Sequence, residues 1–172
     1  MEYRFIHHWQ YEPGEEENQV LEEAISLSLK TRGENFLHEL AAFISEHTGA
    51  RYVIIGLLSA DDQHIRTCIF LKDKEALENI TYPLQGTPCD SVLTQRFCYF
   101  PLDVAQNFPG DKEMKSLGVD SYLGSLLLSE DNEPIGVVAL MDVKPIENAA
   151  FAEHLILVLS PAIEQELVRC RK

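Results

Sequence analysis

The sequence predicts an α+β fold: an antiparallel sheet with helices from both chain ends on one face and an irregular cover on the other. Three observations predict it. Two pairs of apolar, strand-length segments, 51–72 and 121–142, are each closed by a short polar turn, and strands joined that way pair antiparallel. Segments with helical spacing of apolar residues stand near each chain end. More than thirty residues of irregular pattern separate the two hairpins, enough to cover the sheet face that the helices leave bare.

The elements follow in order. Residues 1–16 read as a loose leader whose acid-rich end, Glu15–Glu17, suits a solvated helix start. An N-terminal helix follows within 17–33, where Val20, Leu21, Ala24, Ile25 and Leu29 recur about one turn apart. The main domain is expected over 34–172. Thr31 and Glu34 form a T-x-x-E capping box ahead of a second helix. That helix places Phe36, Leu37, Leu40, Ala41 and Ile44 on one face and stops at Gly49. RYVIIGLLS (51–59) is apolar on both faces, as a covered central strand should be. HIRTCIFLK (64–72) alternates, with Ile65, Thr67, Ile69 and Leu71 facing one way and His64 and Arg66 the other. ITYPL (80–84) reads as a third strand, SYLGSLLLS and PIGVVALMD as the second hairpin. From NAAFAEHL onward one long helix is expected, with a kink at Pro161. Its apolar surface is wider than one sheet face needs, which points to a helix-mediated dimer.

The crossover 84–118 has internal signals. Thr87 at an N-cap, Pro88 at the first helical position and Asp90 in the first turn predict a helix start, anchored by Val92 and Leu93. FCYFPL is a short extended piece. Pro109-Gly110 makes a turn, and Asp111 caps a second short helix that stops at Gly118. Together they read as a lid, with a small-molecule site between lid and sheet.

Composition bounds the function. The chain has 172 residues, 45% of them hydrophobic, which suffices for a packed core. Its formal net charge of −14 repels phosphate backbones and anionic lipid, so neither nucleic acid nor a membrane surface is an expected partner. No apolar run reaches membrane-spanning length and no signal-peptide core is visible, so a cytoplasmic location is expected. A soluble module cut from an anchored receptor would read the same way. The four cysteines, Cys68, Cys89, Cys98 and Cys170, form no CxxC pair and no zinc-finger spacing, and reduced thiols are expected. His7 and His8 stand in the leader, where no metal site is expected.

GTPCDSVL, YFPLDVAQNFPGD, LGVDSYLGSLLL and EPIGVVAL, in that order, resemble the GAF domain, closest to a bacterial group with G-T-P-C, F-P-x-D and S-Y-L-G motifs. The likeness covers about residues 34–170. It implies a profilin-like antiparallel sheet of about six strands, terminal helices on one face and a small-molecule pocket under a lid on the other. It also implies a sensory or regulatory domain that binds a ligand of unknown identity. Such a domain dimerises through its N- and C-terminal helices and regulates a fused or separate effector, such as a histidine kinase or a cyclic-dinucleotide enzyme. The sequence holds no effector and stops in helical register, as expected of either an excised or a stand-alone sensory domain. Two alternatives stand beside it. GAF proteins that reduce free methionine sulfoxide resemble the GTPC turn, which makes a thiol enzyme using Cys89 and Cys98 the first. A ligand-free dimerisation module is the second. The Cys-His dipeptide of bilin-binding relatives is absent, and Lys144, Phe151 and Glu153 echo the cyclic-nucleotide signature only loosely.

The expected ligand-binding residues are Tyr82, Cys89, Val92, Phe100, Phe108, Asp111, Ser121, Leu123 and Ser125, with Tyr122 a further aromatic candidate. A helix start favours thiolate at Cys89, whereas Asp90 opposes it and no histidine is near in sequence, so a pocket-wall role is favoured over a catalytic one. Ordinary core packing competes for each aromatic. Ser121 and Ser125 are polar on one face of an apolar strand, where a ligand or an exposed edge can satisfy them. Gly124 between them marks a close approach or a bulge.

Overall fold

Two hairpins lie side by side at the centre of a single sheet. The computed structural model describes residues 11–30, 33 and 35–171, Arg171 by its backbone alone. The Thr31–Glu34 capping box and the His7–His8 pair lie outside these residues. The elements are α1 (Glu15–Ser28), α2 (Phe36–Thr48), β1 (Tyr52–Leu58), β2 (His64–Lys72), β3 (Glu75–Ala76), β4 (Thr81–Pro83) and α3 (Pro88–Gln95). They continue with β5 (Phe97–Phe100), α4 (Val104–Asn107), α5 (Lys112–Leu117), β6 (Ser121–Leu128), β7 (Pro134–Asp142) and α6 (Ala149–Arg171).

The sheet has seven strands in the order β3-β2-β1-β7-β6-β5, with β4 sharing the outer edge of β2. Every pairing is antiparallel. The hairpins β1–β2 and β6–β7 are those expected, and β1 against β7 joins them. The α+β architecture is therefore as the sequence predicts. The two-residue β3 and the one-turn α4 are additions, too short to carry a periodic signal.

Helix α1 starts at Glu15, two residues inside the expected leader, and stops at Ser28. The Glu17 carboxylate accepts the Gly14 N–H at 3.0 Å and the Tyr11 hydroxyl at 2.5 Å, and it also takes the Asn148 side-chain amide ahead of α6. One side chain thus ties the start of the first helix to the start of the last. Leu21 and Ala24 enter the main core, so α1 belongs to the same packed layer as α2 and α6. Helix α6 runs on through Pro161. The proline removes the donor for the Leu157 carbonyl, but both residues face solvent, where water can serve it.

Two apolar layers flank the sheet. The larger joins α1, α2 and α6 to Val53, Ile55, Leu123, Leu127, Val138 and Leu140. The smaller joins the crossover, through Leu84, Cys89, Val92, Phe100, Val104 and Met114, to Tyr52, Ile54, Phe70, Tyr122, Ala139 and Met141. The crossover is thus a lid on the face that the helices leave free.

The strict alternation expected for β2 fails. The β1–β2 register slips between Ile55 and Gly56, which makes Cys68 an extra residue in a β-bulge. As a result Ile65 faces the lid while Leu71 faces the helices.

Candidate functional site

Three polar atoms meet under the lid. Tyr82 comes from β4, held opposite Ile65. Gly86, at φ +83°, turns the chain from β4 into α3. Thr87 occupies the N-cap in extended geometry, but its hydroxyl donates back to the Leu84 carbonyl at 2.8 Å and does not cap the helix. Pro88 takes the first helical position, and Cys89 follows in the first turn, pointing into the domain. Its Sγ lies 3.2 Å from the Tyr82 hydroxyl and 3.0 Å from the Tyr122 hydroxyl. Tyr122 comes from β6, between Phe100 on β5 and Met141 on β7.

Gly124 makes this arrangement possible. A Cβ there would stand 2.6 Å from the Tyr122 hydroxyl and 2.6 Å from Val92 Cγ2. The missing side chain lets the Tyr122 ring and helix α3 close onto the strand. Of the two readings of Gly124, close approach is the one observed.

The residues around these atoms line a partly open cavity of about 30 Å³. Ile54, Phe70, Tyr122, Ala139 and Met141 line it from the sheet, and Pro88, Cys89, Asp111, Glu113, Met114 and Leu117 from the lid, with Ile80 and Tyr82 at the side. The space takes no more than a few waters, whereas small-molecule sites run to several hundred cubic ångströms. A ligand of ordinary metabolite size therefore needs more room than this arrangement of the lid leaves. Asp111 caps α5 as expected, its carboxylate accepting the Met114 N–H at 3.1 Å.

Burial sets the protonation of the cluster. It pushes the Cys89 thiol up, and the hydrogen bonds from Tyr122 and Tyr82 offset this only in part. It likewise pushes both phenols up, with Cys89 adding to the effect. Asp111 is raised by its partial burial, with the nearby Glu113 charge adding. At neutral pH the cluster is a thiol and two phenols, a set of hydrogen-bonding walls and not a thiolate nucleophile. Two carboxylates line the cavity, and none of the lining residues is basic.

The structure brings together Tyr82, Cys89 and Asp111 from the expected set. Val92 is buried under the lid against Gly124, beside the cavity lining. Phe100 and Phe108 stack edge to face, ring centres 5.4 Å apart, and pack the lid away from the cavity. Three residues are corrected. Ser121, Leu123 and Ser125 share a face as expected, but it is the opposite one, toward the helices. Leu123 lies in the helix-side core, and Ser125 is paired across the ladder with Phe97 of that core. The Ser121 hydroxyl donates to the Lys144 carbonyl at 2.6 Å, so a backbone group, and not a ligand, satisfies it. Met114 and Leu117 were missed; α5 carries them to the cavity, and their spacing alone reads as ordinary core.

An open groove of about 390 Å³ lies elsewhere, between Glu46, Arg51, Asp73, Lys74, Asp142 and Lys144. Its charges are partly used internally: Arg51 pairs with Asp73 at 3.7 Å, and Asp142 accepts the Arg51 and Val143 N–H groups. Among the described residues no group of three or more His, Cys, Asp or Glu is placed to hold a metal ion. No described helix is long and apolar enough to cross a membrane.

No family model and no curated protein sequence matches the chain. Solved structures do. The bacteriophytochrome RpBphP3 from R. palustris superposes with a TM-score of 0.70 at 11% identity, covering 92% of this chain and 39% of that one. This chain therefore spans well under half of that protein's length. The GAF domain of an Acinetobacter phosphoenolpyruvate-protein phosphotransferase gives 0.69 at 10% identity, covering 92% and 97%. A free methionine-R-sulfoxide reductase from Neisseria meningitidis, solved with its substrate, gives 0.68 at 17% identity, covering 94% and 97%. At these identities the likeness is one of fold, and the fold of this chain is that of a GAF domain.

Proposed function

We propose that the chain is a sensory GAF-type domain of a bacterial cytoplasmic signalling protein, binding a small molecule between lid and sheet. The observation that carries this reading is the cavity under the lid, where the Cys89 thiol and the Tyr82 and Tyr122 hydroxyls converge. A mostly apolar wall with a few convergent polar groups is the composition of a ligand site. With Asp111 and Glu113 in its lining and no basic residue there, the site disfavours anions. Its ligand is a neutral or cationic small molecule with a hydrogen-bonding group for the Cys89 cluster.

Signal transfer follows from the layers. A ligand that binds only when the lid is lifted shifts the chain toward that state by its difference in affinity for the two. The sheet connects the lid to α1 and α6. Ile25, Leu29 and Leu157 are exposed apolar residues on or next to those helices, and we assign the homodimer contact to them. A fused or separate effector reads the change in helix packing.

A second reading has an observation of its own. The three polar atoms satisfy one another and the cavity is small, as in a ligand-free dimerisation module. A thermal-shift panel of neutral, cationic and anionic metabolites separates the two. The sensor reading predicts stabilisation by at least one neutral or cationic compound, lost in Cys89→Phe, which fills the cavity. A flat panel, or a shift that Cys89→Phe leaves untouched, supports the module. The thiol-enzyme reading predicts turnover of free methionine sulfoxide with a reductant, abolished by Cys89→Ser; the protonated, buried thiol argues for no turnover.

A further inference from the structure

Cys68 and Cys170 lie 102 residues apart in sequence, yet the fold brings them together. The bulge in β2 makes Cys68 the extra residue opposite Gly56 and turns its side chain toward the helix layer, where it packs partly buried. On the other side, α6 runs across the ends of the same strands. The Glu164 carboxylate accepts the Leu128 N–H at 2.7 Å at the end of β6. One turn later Leu167 sits on Gly136 of β7, where a Cβ would stand 3.0 Å from Leu167 Cδ1 and 2.2 Å from the Gly56 carbonyl oxygen of β1. One further turn carries Cys170 toward β2, where its thiol stands beside that of Cys68. Leu167 thus lies over the β7–β1 pair, and a helix advances about 4.5 Å in three residues, close to one strand spacing, so the next turn reaches β2.

We propose that Cys68 and Cys170 form a thiol–disulfide exchange site that takes a low-molecular-weight disulfide as its oxidant and staples the last turn of α6 to β2. Cys170 is exposed and is the attacking thiol; Cys68 is shielded and resolves. The Cys170 thiolate attacks one sulfur of the oxidant RSSR, forming a protein–SR bond and expelling RS⁻. The Cys68 thiolate then attacks the Cys170 sulfur, forming the Cys68–Cys170 bond and expelling the second RS⁻. The two protein thiols are oxidised, RSSR is reduced, and the two thiol protons end on two RSH. Burial, with Cys170 beside it, pushes Cys68 up to about 11, so the second step quickens as pH rises. Cys89 and Cys98 are both buried under the lid and stay out of this exchange.

The test is incubation of the full chain with oxidised glutathione at mildly alkaline pH, alkylation of the remaining thiols, and mass spectrometry without reductant. The expected product has lost two hydrogens and two alkylation sites, and digestion yields one peptide pair joining Cys68 to Cys170. Cys68→Ser accumulates the glutathione adduct on Cys170, and Cys170→Ser stays unmodified. The proposal is overturned if the native chain accumulates that adduct, or a Cys170–Cys170 link between two chains, while Cys68 remains open to alkylation.

Discussion

The Cys89 thiol lies 3.0 Å from the Tyr122 hydroxyl, joining the first turn of the lid helix α3 to strand β6 across 33 residues of chain. Tyr122→Phe removes one partner and leaves the Tyr82 contact at 3.2 Å. The expected cost is about 1 kcal/mol in chemical denaturation, the usual net value of a buried hydrogen bond. In a double-mutant cycle with Cys89→Ala the two losses should not add, because each removes the same contact. Additive losses would show that the two groups are neighbours without an energetic link.

Gly124→Ala is expected to destabilise by about 1–3 kcal/mol, through overpacking against Tyr122 and Val92. Neither neighbour has an easy retreat: both are buried and hold the lid to the strand. Equilibrium unfolding checks it. An unchanged midpoint would mean that α3 can step back freely, which the account does not allow.

Asp111 carries a pH prediction. Its carboxyl sits above the ordinary range because burial disfavours the charge. A raised folded-state value means that stability from the protonated form is present below the unfolded value and is lost as pH rises through the folded one. Asp111→Asn removes that loss and keeps an N-cap of equal quality. At neutral pH it should be at least as stable as the native chain, with a shallower fall between acid and neutral pH. Asp111→Ala should instead cost about 1 kcal/mol, as a lost cap does. Melting curves across that range decide; an Asn variant less stable than native at neutral pH contradicts the assignment.

Much of this architecture is legible in the chain. The hairpins, the helix start at Pro88, the Asp111 cap and the turn at Pro109-Gly110 all rest on local chemistry: period-two patterning, a fixed proline φ, a carboxylate three residues before its N–H. What was not legible depends on faces. Ser121 and Ser125 share a side by periodicity, but nothing in period two says whether that side meets the lid or the helices. The same limit hid the bulge at Cys68, because an extra residue in β2 changes no local preference while it reverses which face Leu71 takes relative to Ile65. The link from Cys89 to Tyr122 joins distant segments and leaves no local trace.

The corrected placement of Ser121 is itself testable. Ser121→Ala should cost about 1 kcal/mol, through loss of the bond to the Lys144 carbonyl. It should leave any ligand-induced rise in melting temperature unchanged, because the residue lies on the helix side. A lost ligand response in a folded Ser121→Ala variant would return that face to the binding site.

The dimer contact predicts that Ile25→Glu and Leu157→Glu each lower the oligomer measured by light scattering, with the circular dichroism spectrum unchanged. Both side chains are exposed in the single chain, so a charge there has no fold to disturb. A native chain that is already monomeric at high micromolar concentration removes the dimer from the account.

Native mass spectrometry of the freshly purified chain asks most directly whether the space between lid and sheet is a receptor. The account predicts a retained neutral or cationic small molecule, present on the native chain and absent from a folded Cys89→Phe variant. An anion, or a molecule held equally well by the filled variant, would contradict it.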